Sequence, residues 1–461
     1  MNVETPRQLT LAEWEARFEA GFPGQWPQPA YGGPLGRHLR DGDLRLPKLL
    51  YDNAPATLNL WNFLLTEESR LRAGRAAGIR IVGAMKDLGT VPVMAYSLPG
   101  VTAFYPDGAW WTPCLMEFGS GTLNVADALG VDESFCPVRA MLGAFAAGTH
   151  FPAPDLLVCS VGATCDDFSA IAQRVEGLGH AILWWEIPHR RIPVAGENAV
   201  TLPGGFRCPS DQVAFVQSEL ERVKAGIEAL AGERLSDEGL RAGIRAANRI
   251  RRALRELREL VFTADLCPLP SLELLIAEML AIHFCSDREA CAAVLTGLLR
   301  EVRHRAAENL GHFGCDAVKV FWVNPVADLR VMNLLEQCGG RIGGTDYMFC
   351  HALDEIPEDV PPMEALARMA LADPMVGSSH DRARRICDDL VRLGAEAVVV
   401  SRIPGASHCA LEGGIVADEV SARTGLPVME MEIPPVCDAF VPSLKTRLCA
   451  LIETAEGRRP R

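Results

Sequence analysis

Cys136, Cys165 and Cys409 are the residues of this chain whose type and placement could support redox or metal chemistry. Cys136 opens a helical run, FCPVRAMLGAF. Cys165 follows a buried-type strand in DLLVCSVGATCDD, and Cys409 follows another in AEAVVVSRIPGASHCALEGG. Each lies where a strand ends or a helix begins, the edge of an open α/β sheet at which ligands collect. A thiolate before a helix is favoured by the helix's positive end and its unsatisfied N–H groups. Three isolated thiolates meeting at such an edge would hold an iron–sulfur cluster with one iron left open. The spacing matches no zinc-finger, rubredoxin or ferredoxin pattern, and no CxxC pair occurs among the 15 cysteines. On residue types alone, the alternative that these thiols simply fill core stays open.

The other cysteines carry weaker signals. Cys159 lies within a strand, and Cys285, Cys291, Cys387 and Cys449 fall on helical faces that suit a small apolar residue. Cys114, Cys208, Cys267, Cys315, Cys338, Cys350 and Cys437 lie in or near loops, and Cys350, before His351, is the reserve candidate. The run Trp184-Trp185-Glu186-Ile187-Pro188-His189-Arg190-Arg191 ends a strand in a basic cluster that suits either a phosphate contact or a charged loop. Gly339-Gly340 and Gly343-Gly344 offer a phosphate loop, without a complete P-loop or GxGxxG fingerprint. His408 reads as a neighbour of the site or a solvent-facing residue rather than a ligand.

The elements that must position these residues follow from periodicity. From Ile79 the strands IRIVGAM, DLLVCSV and HAILWWEI alternate with helices, including 137–145 and 167–177. After Cys315 the strands AVKVFWVN, GRIGGTDY, AEAVVVS and PVMEMEI alternate with helices at 328–337, 362–372, 379–393 and 411–424. Such alternation predicts parallel sheets covered on both faces. Between them runs nearly continuous amphipathic helix, with Ser236 as an N-cap. The expected fold class is therefore α/β. Residues 1–75 form an N-terminal extension wrapping the first domain and 76–209 a first Rossmann-like domain. Residues 210–314 form a helical connecting segment and 315–461 a second Rossmann-like domain. The arginines from Arg245 to Arg258 fall mostly away from the apolar stripe and read as a solvated face with glutamate partners.

Composition narrows the function classes. A net charge of −14 disfavours nucleic acid as a partner. No apolar run is long enough to span a bilayer, so no membrane partner is expected. The polar, acidic start MNVETPRQLTLAEWEARFEA is not a signal peptide, which predicts a cytoplasmic protein whose thiols stay reduced rather than forming a disulfide framework.

At these residues the chain resembles the 2-hydroxyacyl-CoA dehydratase and benzoyl-CoA reductase family. The likeness lies in FCPVRAMLG, in LLVCSVGATCDD leading to WWEIPHRR, in ERLSDEGLRAGIRAANRIRRALREL, and in LGAEAVVVSRI with HCALEGGIVADEVSARTGLPVMEMEI. These blocks keep the family's order over roughly residues 75–455. The helical block carries the spacing Leu240, Ile244, Asn248, Arg251. The resemblance implies two Rossmann-like domains with a [4Fe–4S] cluster between them, held by cysteines that map onto Cys136, Cys165 and Cys409. It implies an acyl-CoA substrate, one electron from a separate ATP-hydrolysing iron–sulfur activator, a ketyl radical anion, and loss of the 2-hydroxyl group as water. It also implies a dimer, with a related subunit or a second copy. Relatives include low-potential reductases, of benzoyl-CoA type or with a double-cubane [8Fe–9S] cluster, and the sequence leaves those alternatives open. So does it leave a non-catalytic paralogue or electron relay. Residues 1–75 and the stretch VPVMAYSLPGVTAFYP depart from the family pattern, so no catalytic or substrate-contacting residue carries over.

Overall fold

The computed structural model describes residues 5–20, 33–38, 45–85, 89–106, 121–347, 353–435 and 438–459; the side chains of 408–410 lie outside that description. Two four-stranded parallel sheets organise the chain. The first contains β3 (Arg80–Met85), β4 (Val101–Phe104), β5 (Leu156–Gly162) and β6 (Ile182–Ile187), in the order β4-β3-β5-β6. The second contains β9 (Val318–Val323), β10 (Gly340–Asp346), β11 (Ala397–Arg402) and β12 (Val428–Glu432), in the order β10-β9-β11-β12. The two sheets thus share one topology, second-first-third-fourth, with the order of strand addition reversing between the first and third strands. That seam is where open α/β sheets bind ligands. The inner strands are apolar on both faces, as a sheet covered on two sides requires.

The expected strands all form, and β4 adds an edge strand within the stretch that departed from the family pattern. Gly343 and Gly344 do not form a phosphate loop. They lie inside β10, where a Cβ on Gly344 would stand 2.4 Å from the Phe321 ring. Glycine there lets neighbouring strands and side chains approach closely.

The helical segment comprises α8 (Ser210–Ala231), α9 (Asp237–Thr263), α10 (Ser271–His283) and α11 (Arg288–Ala307). Ser236 caps α9, its Oγ accepting from Gly239 N at 3.1 Å. Every residue of α10 is buried, as expected of a helix apolar nearly all round. The basic stretch of α9 is ion-paired, mostly to residues brought in by the fold: Arg249 to Glu289, and Arg252 to Glu355 and Glu358. Asn248 and Arg251 are instead buried. Asn248 exchanges hydrogen bonds with the backbone of Ile356, and Arg251 donates to Asp354 O at 2.7 Å. The spaced motif of α9 therefore clamps the segment entering the later helices of the second sheet.

The N-terminal extension folds as β1 (Gln8–Thr10) paired with β2 (Leu50–Asp52), with α1 (Leu11–Glu19), α2 (Pro55–Leu65) and α3 (Glu67–Ala76). Its polar anchors go chiefly to the helical segment and second sheet region rather than around the first domain. Arg305 and His312 each meet Asp52 at 2.5 Å, Asp52 N donates to Glu273, and Gln8 donates to Glu336 at 2.7 Å. Burial by itself would raise the Asp52 carboxyl, but the His312 hydrogen bond and the Arg305 guanidinium outweigh it and hold Asp52 below its usual range. Burial, reinforced by the Asp52 charge, pushes Glu273 up to about 8, and burial pushes Glu336 up to about 7.

A carboxyl raised in the folded state binds a proton that the unfolded chain, at its ordinary 4.5, has already released. The stabilisation is complete below that value and is lost as pH rises through 7 to 8. Stability is therefore expected to fall between about pH 5 and pH 8, by on the order of 1 kcal/mol per pH unit for each group until its own folded value is passed. Urea unfolding across that range should show Glu273→Gln with a flatter profile than the unaltered chain. Equal slopes would remove Glu273 from the account.

Candidate functional site

The two sheets offer equivalent ledges after their third strands. After β5 the chain runs through Ala163 and Thr164 to Cys165, which is the N-cap of α7 (Asp166–Gly177). Two acidic residues follow it and suit the positive end of the helix. Cys165 is buried, and its Sγ–H donates to Asp167 Oδ2 at 3.8 Å. Among the described residues, the Thr164 Oγ1 beside it is buried with no hydrogen-bond partner.

Cys136 lies in the connection between α5 (Gly121–Ala128) and α6 (Arg139–Ala147). The sequence suggested a helix starting at 137. A turn over Cys136–Arg139 precedes it instead, with Arg139 N donating to Cys136 O at 2.9 Å. Arg139 fixes this turn from below, donating to Asp127 Oδ1 and to Phe135 O, both at 3.2 Å.

Cys409 follows β11 as Cys165 follows β5. The helix expected from residue 411 starts earlier: α15 spans Ser407–Thr424, so Cys409 belongs to its first turn. The capping residue, Ala406, supplies no side-chain hydrogen bond, which is why composition underestimates this start. The Cys409 and His408 side chains lie outside the described residues.

Backbone geometry brings the three places together. Ser407 N donates to Asp167 Oδ2 at 2.9 Å, tying the start of α15 to the start of α7. Gly405, at φ +75°, passes so close to the Cys136 turn that a Cβ would stand 2.5 Å from the Phe135 carbonyl carbon and 3.0 Å from Cys136 N. Only glycine accommodates both the left-handed backbone and that approach. The turn of Cys136, the N-cap Cys165 and the first turn of α15 therefore meet at one junction between the domains. A second set of contacts fixes α15 from the far side. Arg382, near the start of α14 (Ser379–Leu393), donates to Glu412 on α15 at 3.1 Å, to Asp346 at 2.8 Å and to Asn324 at 2.8 Å.

Most other cysteines are unsuited to holding iron. Burial pushes the Cys267 thiol up to about 12 and Cys208 up to about 11, and raises Cys285, Cys291 and Cys387 as well. A thiol held protonated by its surroundings is a poor metal ligand. Cys338 and Cys449 stand as a disulfide, Cα atoms 4.9 Å apart, a pairing the sequence did not suggest. Cys114, Cys350 and Cys437, with His351, lie outside the described residues. The basic cluster after β6 turns out to be structural: Arg190 donates to Leu371 O and Asp373 O across the domain boundary, and Arg191 pairs with Glu197.

Among the described residues, no group of three His, Cys, Asp or Glu side chains is arranged as a metal site, a set that does not include the Cys409 side chain. The donor types at the junction nonetheless fit an iron–sulfur cluster. Two cysteines begin or precede helices, a third occupies a helix's first turn, and a glycine crossing brings the backbone of the third segment against the turn of the first. No helix of the described residues is long and apolar enough to cross a membrane.

A protein-family model described as 2-hydroxyglutaryl-CoA dehydratase, D-component, matches residues 91–455. No protein with a curated description matches the chain.

Proposed function

The chain belongs to the 2-hydroxyglutaryl-CoA dehydratase D-component family, and from that premise we propose that it is the iron–sulfur subunit of a 2-hydroxyacyl-CoA dehydratase. Membership supports an enzyme of the dehydratase or reductase type. The finer reading rests on one observation: the Cys136 turn, the Cys165 helix start and the Cys409 helix start share one interdomain junction. Cys136, Cys165 and Cys409 would hold a [4Fe–4S] cluster there. When bound, such a cluster supplies low-potential electron transfer and an open iron able to polarise a thioester carbonyl.

The chain's own residues build the surroundings. The starts of α7 and α15 direct backbone N–H groups at the junction and favour negative charge there. The crossing of Gly405 over Phe135 holds the approach to α15 against the Cys136 turn. Arg190 ties the first sheet domain to the second, and Asn248 and Arg251 tie the helical segment to the second. The substrate of the proposal is a 2-hydroxyacyl-CoA, reduced by one electron at its thioester carbonyl to a ketyl radical anion that loses its 2-hydroxyl group; after β-proton removal the electron is returned, so the net change is loss of water. The proposed partners are an ATP-dependent iron–sulfur activator and a related subunit or second copy, in the cytoplasm.

Protein expressed and purified without oxygen is expected to be brown and to contain about four irons and four acid-labile sulfides per chain. About eight irons would replace the single cubane, and with it the dehydratase reading, by the double-cubane reductase one. Colourless, iron-free protein would sink both.

A further inference from the structure

Asp166 and Asp167 are adjacent acidic residues in the first turn of α7, yet they are placed differently. Asp166 is exposed, as a carboxylate that merely complements a helix dipole usually is. Asp167 is only 5% exposed. Burying a carboxylate is costly unless hydrogen bonds replace its water. One that does so comes from another domain: Ser407 N donates to Asp167 Oδ2 at 2.9 Å. Ser407 is the first residue of α15, whose own N-cap, Ala406, has no side-chain acceptor to offer. The first N–H groups of a helix have no partner within it. The Asp167 carboxylate thus sits at the positive ends of two helices, its own and one that follows it by more than two hundred residues.

We propose that Asp167 is a positioning residue that caps α15 from the opposite domain, setting the Cys409 turn against Cys165 and placing a carboxylate beside the Cys165 sulfur. This rests on the reading of Cys165 and Cys409 as cluster ligands. The consequence has two parts. Capping fixes the first turn of α15, so the third ligand is delivered to a set place before iron arrives. The second part is electrostatic. Asp167 Oδ2 lies 3.8 Å from Cys165 Sγ. A carboxylate that close to a liganding sulfur opposes the addition of an electron and lowers the reduction potential of the centre. A low potential is what one-electron reduction of a thioester demands.

The two parts separate in two substitutions. Asp167→Asn keeps a carbonyl oxygen for the Ser407 N–H but removes the charge. Asp167→Ala removes both. Amide hydrogen exchange of residues 407–411 in the iron-free chain should accelerate about tenfold or more in Asp167→Ala, the loss of one helix cap. Exchange there should stay near the original rate in Asp167→Asn and in the exposed control Asp166→Asn. In the iron-loaded protein, Asp167→Ala should release iron to a chelator faster. Asp167→Asn should retain iron but show a more positive potential in a dye-mediated titration of the cluster's visible absorbance, shifted further than Asp166→Asn. Unchanged exchange in Asp167→Ala overturns the cap, and an unshifted potential in Asp167→Asn overturns the electrostatic part. If the unaltered chain binds no iron, the cluster reading fails, while the exchange comparison still decides whether Asp167 caps α15.

Discussion

Cys165→Ser, prepared without oxygen, is expected to retain about a tenth or less of the iron of the unaltered chain, because three thiolates leave no ligand to spare. Serine matches cysteine in shape, so the substitution tests the sulfur rather than the packing. Its hydroxyl stays protonated at neutral pH and cannot replace a thiolate. Cys136→Ser and Cys409→Ser should behave alike, since each removes one of the three proposed ligands contributed by separate elements. Cys291→Ser is the control. Cys291 is wholly buried on α11, and burial raises its thiol far above the usual range, so it serves the core. Its replacement should cost stability, on the order of 1–3 kcal/mol for a hydroxyl without a partner, and leave iron in place. Iron and sulfide analysis with electron paramagnetic resonance reads the difference. Iron lost equally from Cys291→Ser, or kept by the three others, would mean the ligands have been misassigned.

Much of this arrangement was legible in the sequence, for identifiable reasons. Strands buried on both faces announce themselves as apolar runs, so β5, β9 and β11 and the ledges after them could be placed from composition. The cysteines at two of those ledges could be singled out because they recur at the same point of the repeating unit. The shared strand order could not be read, because pairing is set by contacts between distant segments. Nor could the early start of α15, since its cap is Asp167 from another domain and Ala406 gives no local sign. The same limit hid the partners of the α9 arginines. Glutamates at helical spacing were expected, yet Glu289, Glu355 and Glu358 come from other elements. The main anchors of the extension are likewise invisible locally, because Asp52 bonds to Arg305 and His312 far along the chain. Local propensity is visible in sequence; long-range polar pairing is not.

Replacing Arg382 is expected to cost much of the chain's stability. It is 2% exposed and its guanidinium joins three elements: Asp346 at the end of β10, Asn324 just beyond β9, and Glu412 on α15. Burial alone would disfavour its charge, but Asp346 and Glu412 outweigh that and raise it above the ordinary arginine value. Arg382→Met fills similar space but strands two carboxylates at 13% and 14% side-chain exposure. Breaking a buried pair by removing one partner typically costs about 3–5 kcal/mol. Arg382→Lys keeps the charge but not the planar fork, and one ammonium cannot reach three partners in different directions, so it should recover only part of that loss. Because Glu412 lies one turn beyond Cys409 on α15, the damage is directional. Urea unfolding of iron-free protein should show the destabilisation, and hydrogen exchange should rise first in α15 and at the ends of β9 and β10. Arg382→Met/Glu412→Gln, which removes the stranded charge on α15, should restore part of the stability. A double variant no more stable than Arg382→Met would show that the cost lies in lost packing, and that Arg382 does not hold α15 through Glu412.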